Sequence, residues 1–285
     1  GMAISPDGNA LYLAMRDSTV VVDIENPQGF IVLNMGARGG VAVSPDNEHV
    51  ALLGDDLYIL NTADYSVFYH DTNQIYKGVF SSNGSAFYAV GSINDGEIDQ
   101  RSYVYQLSMD QAAEASYTEM PYRRLNKIMP SDDEQTWFLS QSGFGTSAVD
   151  VYRVPADSII YSMRIHPQSS VDFERSVDGR YVFFTYPCPW SDNIGVCDPP
   201  GRIVVFDVSA GIVAETIVIP DADTLDPFIS GLNVGPLSAT PDGLWLIGAA
   251  GNWIIRVDVV NMVVVDKVLI ENATLLFEIV CQTSL

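Results

Sequence analysis

Positive charge is scarce in this chain. Fourteen lysines and arginines stand against 36 aspartates and glutamates in 285 residues, a formal charge of −22. Such a surface repels polyphosphate and an anionic bilayer, so no nucleic-acid partner is expected. The acid excess favours solubility, and a monomer is expected. No run of about 18 apolar residues occurs, which excludes a transmembrane helix. The opening "GMAISPDG" has neither a charged n-region nor an apolar h-region. Gly1 reads as an expression scar, and a presequence is expected to be missing from this form of the chain.

Cysteine is also sparse. Cys188 and Cys197 enclose "CPWSDNIGVC", and Cys281 stands alone near the end. Two cysteines around a short Pro- and Gly-bearing loop can close a disulfide ring. That reading points to an extracellular, periplasmic or cell-surface protein, against the alternative of two thiols in a reducing cytosol. The three histidines, His49, His70 and His166, are scattered, which gives a zinc site little support. The patterns G-x-S-x-G, H-E-x-x-H, a Gly-rich phosphate loop and a Cys–His pairing are all missing. Catalytic residues are therefore left unassigned.

What the chain has in abundance is repetition. "SPDG" at 5–8 returns as "SPDN" at 44–47, "SSNG" at 81–84, "PSDD" at 130–133, "SVDG" at 176–179 and "TPDG" at 240–243. Each copy is followed by a short run rich in aromatic and β-branched residues, such as "ALYLAM", "HVALLG" or "YVFFTY", which reads as a strand. Proline presets the first corner of the turn, aspartate accepts a local backbone hydrogen bond and glycine takes the left-handed position. A third strand ("TVVVDI", "DLYILN", "RIVVFDV") and a fourth ("FIVLNM", "SVFYHD", "VAETIVI") complete each unit. Four strands every 40 to 60 residues predict an all-β propeller of four-stranded antiparallel blades. A two-sheet sandwich would not explain why the turn returns at the same place in every unit.

The expected organisation is a single domain with blades at about 1–39, 40–76, 77–126, 127–169, 170–233 and 234–270, and a tail at 271–285. Six blades are expected, with seven as the alternative. The pattern "SPDG–x–x–LYL" followed by "VVVDI" resembles the YVTN-type repeats of surface-layer and lactonase-like propellers, over about residues 2–270. The resemblance implies the propeller fold. It departs from the family where the third and fourth turns degrade, and the tetrapeptide "YVTN" is missing. No residues match a lactonase active site, so none is carried over.

In a propeller the first-to-second and third-to-fourth turns lie at one end of the blades, and the second-to-third loops and blade links at the other. The large insertions, at 91–102, 187–201 and 220–233, all fall at this second, loop end, which is the expected functional surface. Arg16, Arg38, Lys77, Arg101, Arg123, Arg124, Lys127 and Arg202 map there, joined by His70 and by Trp190 as an aromatic contact. These residues are candidates for an anionic ligand. Pairing with Asp17, Asp55, Asp56 and their neighbours is the competing reading. Asn94, Asp95, Glu97 and Asp99 surround a glycine and offer hard oxygens to calcium, although the twelfth-position glutamate of a calcium loop is missing. The function expected is an exported or cell-surface module that binds a protein or small-molecule ligand through its long-loop face. The alternative is a lactonase-like hydrolase with a metal or anionic substrate at the central channel mouth.

Overall fold

The computed structural model describes residues 1–93, 101–110, 115–120, 125–143, 146–165, 172–186, 201–219, 234–250 and 253–269. The first sheet comprises β1 (Met2–Ile4), β2 (Ala10–Ala14), β3 (Thr19–Asp23) and β4 (Phe30–Leu33), and the second β5 (Gly40–Val43), β6 (His49–Leu53), β7 (Leu57–Asn61) and β8 (Val67–Asp71). The third holds β9 (Ile75–Phe80), β10 (Ala86–Ile93), β11 (Arg101–Ser108) and β12 (Ser116–Met120). The fourth holds β13 (Leu125–Pro130), β14 (Thr136–Gly143), β15 (Thr146–Arg153) and β16 (Ser158–Ile165). The fifth is β17 (Phe173–Arg175), β18 (Tyr181–Tyr186), β19 (Arg202–Asp207) and β20 (Ile212–Val218). The sixth is β21 (Val234–Ala239), β22 (Trp245–Ala250), β23 (Trp253–Asp258) and β24 (Val263–Leu269). In each sheet the spatial order follows the chain, so the described residues form six four-stranded antiparallel blades. The protein is a six-bladed all-β propeller, and among the described residues the helical content is one turn of 3-10 helix (Val154–Ala156).

Why six similar blades rather than one sandwich is visible in β6. Its residues "HVALL" are all buried, with none of the polar alternation a half-solvated strand would show. Val50 and Leu52 pack toward Tyr12, Val21 and Leu33 of the first blade. Ala51 and Leu53 point the other way, toward Ile75, Phe87 and Tyr105 of the third. The fourth strand has no such second neighbour, and three of the four residues of β4 are exposed.

Contacts divide the described residues into two compact units, one running from Gly1 to Gln141 with Tyr152–Ser158, the other formed by the residues between Ser142 and Val151 and those from Ile159 onward. In the first, apolar layers lie between blades one and two, two and three, and three and four; the last is built on Tyr88, Trp137 and Tyr152. Within this unit the first strands of successive blades touch, β1 with β5, β5 with β9 and β9 with β13. In the second unit one layer joins blades five and six through Phe183, Val205, Leu246 and Ile255. Among the described residues no helix is long and apolar enough to cross a membrane.

The repeated turn is held by one hydrogen-bond circuit. The Ser5 hydroxyl donates to Asp7 Oδ1 at 2.5 Å and accepts from the Ala10 N–H at 2.8 Å, while Asp7 Oδ1 also accepts from the Asn9 N–H at 3.1 Å. Ser44 and Asp46 repeat the circuit in blade two, Ser81 and Asn83 in blade three, and Thr240 and Asp242 in blade six. In blade four the circuit uses Ser131 and Asp133, one residue later than the alignment "PSDD" at 130–133 sets it. Pro130 there is the last residue of β13, and Glu134 takes the left-handed position with φ 57°. Glu134 also accepts from the Tyr88 hydroxyl at 2.5 Å, which ties this turn to blade three.

The hydroxyl donors hold the carboxyls of Asp7, Asp133, Asp178 and Asp242 below the usual aspartate range, with backbone N–H groups adding to the effect. A depressed folded-state pKa contributes stability that is present above the unfolded value and lost as pH falls through the folded one. The urea midpoint is therefore expected to hold between about pH 7 and 5 and to fall below about pH 4. Ser44 is fully buried. Ser44→Ala leaves the His49 N–H without its acceptor and is expected to cost about 1–2 kcal/mol by urea denaturation.

Candidate functional site

The first-to-second turns each enclose five residues, as between Ile4 and Ala10, whereas the connections from Tyr186 to Arg202 and from Val218 to Val234 span fifteen each. Length variation is thus concentrated at the loop end, and the described part of that end is best defined in blades one and two. There β2 leads into a tight loop closed by Met15 N–H donating to the Ser18 carbonyl at 2.9 Å. The link from β4 to β5, "NMGARG", folds against this loop. Ala37 N–H donates to the Met15 carbonyl at 3.0 Å, and the buried Thr19 hydroxyl donates to the Met35 carbonyl at 3.0 Å. Gly36 makes the approach possible, since a Cβ there would lie 1.9 Å from the Arg16 carbonyl oxygen.

This packing brings Arg16 and Arg38 to one cleft of about 460 Å³, lined also by Gly1, Ala14, Met15 and Ala37. A third cation lies beside it. Lys77 on β9 brings its Nζ to 3.7 Å from the place a Cβ would take on Gly40, two residues beyond Arg38. Two exposed carboxylates answer these charges, Asp17 at 3.9 Å from Arg16 and Asp55 at 3.7 Å from Arg38. Solvated pairs at such distances contribute between nothing and about 1 kcal/mol, so the guanidinium groups can exchange partners readily. Among the described residues no group of three or more His, Cys, Asp or Glu side chains is arranged to hold a metal ion.

Of the other candidates, those among the described residues do not line this cleft. His70 lies on β8, the strand at the opposite edge of blade two from β5, where its ring stacks on Tyr58 at 4.3 Å. Its Nε2 is 3.6 Å from Asp56 Oδ2, which also accepts from the Tyr58 hydroxyl at 3.2 Å. Burial, with the Asp56 charge adding to it, pushes the Tyr58 phenol up. Lys127 is half-buried on β13, and Arg202, also half-buried, opens β19. Arg101 opens β11. Arg123, Arg124 and Trp190, the calcium candidates Asn94, Asp95, Glu97 and Asp99, and the cysteines Cys188 and Cys197 lie outside the described residues.

Two polar or apolar groupings were not expected from the sequence. One is the carboxylate of Asp71 at the end of β8, which accepts from the hydroxyls of Tyr69, Tyr105 and Tyr117. The other is a cleft at the turn end of blades five and six. Both draw on residues from separate blades, and only a comparison of equivalent positions across the repeats would have pointed to the second.

No family model and no curated protein sequence matches the chain. Solved structures do. The hydrazine synthase of Kuenenia stuttgartiensis aligns over 90% of this chain and 75% of its own, with TM-score 0.68 and 15% identity. The Cps50 (Swd1) β-propeller domain of Myceliophteria thermophila aligns over 95% and 86%, with TM-score 0.62 and 10% identity. The dihydro-heme d1 dehydrogenase NirN, solved in complex with DHE, aligns over 96% of this chain and 57% of its own, with TM-score 0.63 and 16% identity. At these identities the likeness is one of fold, and that fold is the β-propeller.

Proposed function

We propose that the protein is a binding propeller of the YVTN-repeat type, exported or displayed at the cell surface, which holds an anionic group of a protein or small-molecule ligand at its loop end. The observation that carries this reading is the convergence of Arg16 and Arg38 on one cleft, with Lys77 beside it, in a chain whose overall charge is −22. Keeping cations together on such an acidic chain favours an anion locally while the rest of the surface rejects polyanions. Guanidinium is a fixed cation with paired donors suited to carboxylate or phosphate. That chemistry supports binding over hydrolysis. The repeat resemblance and the pairing read for Cys188 and Cys197 support the location.

The test is thermal unfolding of the full chain in the presence of citrate and of inorganic phosphate, at constant ionic strength. The expected result is a rise in midpoint that saturates with ligand, by the linkage of binding to folding, and that disappears in Arg16→Ala/Arg38→Ala. Because both arginines are exposed, the double variant should melt within about 0.5 kcal/mol of the parent without ligand. An equal rise in parent and variant would overturn the proposal.

A further inference from the structure

Repetition supplies an internal control, because each turn position in one blade has equivalents in the others. After the hydroxyl residue of the first-to-second turn, blade five has Val177 where the others have Pro6, Pro45, Ser82, Asp132 and Pro241. Just before the second strand, blade six has Leu244 where the others have Asn9, Glu48, Ser85, Gln135 and Arg180. Two residues after the aspartate that closes its third strand, blade six has Val260, where blade one has Glu25 and blade five has Ser209. A polar or turn-forming residue has thus been replaced by an aliphatic one at three separate positions.

Two of the replacements meet in one cleft, and the third adjoins it through its main chain. Val177, Leu244 and Val260 are 54%, 49% and 74% exposed, so none of them serves the core. Val177 and Val260 line one cleft of about 450 Å³, over a floor that includes Tyr181 and Met262. Leu244 adjoins it, its carbonyl accepting from the Val259 N–H at 3.0 Å. An exposed apolar cluster with a polar rim is the usual mark of an interaction surface.

The rim indicates what kind of partner fits. Among the described lining residues the one cation, Arg180, is engaged: Nε lies 3.4 Å from Asp207 Oδ2 and the guanidinium stacks 4.7 Å over the Tyr181 ring. Asp178 and Asp242 remain at the edge of the cleft, with Asp258 heading the turn that carries Val260. Hydrogen bonds to turn hydroxyls or backbone N–H groups keep all three carboxyls ionised. A second copy of this chain would bring the same acidic surface and be repelled, as would an anionic bilayer. The geometry points to a docking site at the turn end of blades five and six for a protein segment that seats an apolar side chain between Val177 and Val260 and sets flanking lysines or arginines against Asp178 and Asp242. The site is built from first-to-second and third-to-fourth turns of its own two blades, and it does not depend on the reading of the Arg16 and Arg38 cleft.

The test uses three fluorescein-labelled peptides titrated with the full chain and followed by anisotropy. One has a Leu-Phe centre between lysine pairs, one the same centre between glutamate pairs, and one a Gly-Ser centre between lysine pairs. The first is expected to bind, and each of the other two to bind about tenfold more weakly or not at all. Val177→Ser/Val260→Ser should reduce the affinity for the first peptide to that of the Gly-Ser peptide with the melting midpoint unchanged. Val260→Lys should weaken it further by repelling the flanking lysines. Three results would each overturn the proposal: no binding of the first peptide, equal binding of the glutamate-flanked one, or equal affinity in parent and Val177→Ser/Val260→Ser.

Discussion

Gly36→Ala is expected to destabilise the first two blades by about 2–3 kcal/mol or more, although it adds a single methyl group. The added carbon would lie 1.9 Å from the Arg16 carbonyl oxygen, 2.8 Å from its carbonyl carbon and 3.2 Å from the Asp17 Cα. All three are main-chain atoms, so no rotamer change relieves the clash, and the loop or the link has to move. Either movement pulls on the Ala37–Met15 hydrogen bond and on the bond from the buried Thr19 hydroxyl to Met35. A useful control is Gly29→Ala, where the nearest atom is the Asn26 carbonyl oxygen at 3.3 Å and a small adjustment suffices. Its cost should stay within about 1 kcal/mol. Urea unfolding is best followed by circular dichroism, because no tryptophan precedes Trp137 and the first blades are silent in tryptophan fluorescence. Gly36→Ala should also abolish the citrate-dependent rise in midpoint, since Arg16 and Arg38 lose the contact that places them together. Equal stability of the two glycine variants would mean that the loop and link do not meet this closely.

How far the sequence could be read follows from how local each interaction is. The turn, in which a hydroxyl donates to a carboxylate or, in blade three, to the Asn83 carboxamide, spans three residues, so six copies announce themselves in the chain, and β6 is buried on both sides because "HVALL" offers nothing polar between His49 and Leu53. The one misplacement, in blade four, arose where Asp132 and Asp133 both offer a carboxylate; only the bond from the Ser131 hydroxyl selects the second. At the site, Arg16 and Arg38 line one cleft because tight connections in adjacent blades leave little freedom. His70, assigned to the same end, lies on β8, the strand furthest from β5 in its blade, where it stacks on Tyr58. Val177, Leu244 and Val260 are ordinary residues one at a time and become unusual only in comparison with their equivalents in other blades. The Asp71 cluster was beyond reach altogether. Its tyrosines lie on β8, β11 and β12, up to 46 residues away, and no local pattern links a carboxylate to them.

That cluster leads to the second large effect. Asp71 Oδ2 accepts from the hydroxyls of Tyr105 at 2.7 Å, Tyr117 at 2.8 Å and Tyr69 at 3.1 Å, while Oδ1 accepts from both the N–H and the side-chain amide of Asn73 at 2.8 Å. Asp71 and Tyr69 belong to blade two and Tyr105 and Tyr117 to blade three, so one carboxylate fastens two blades near their outer strands. Burial works against the charged form, but the tyrosine hydroxyls and the Asn73 N–H outweigh it and hold the carboxyl below its usual range. Burial also pushes the phenols of Tyr69 and Tyr105 far up, so both remain donors at any working pH. Asp71→Ala removes the common acceptor and is expected to cost roughly 2–4 kcal/mol at pH 7. Asp71→Asn keeps the shape and one acceptor oxygen, and should lose about half as much. The sign of the pH dependence follows from the lowered pKa: the contribution is present above the ordinary carboxylate value and disappears as pH falls through the folded one. The difference in urea stability between parent and Asp71→Ala should therefore be largest at pH 7 and shrink below about pH 4. A gap that stays constant with pH would mean that an ionised carboxylate is not what joins the blades. A double-mutant cycle with Tyr117→Phe makes the assignment specific, with a coupling of about 1 kcal/mol expected at pH 7 and little in acid.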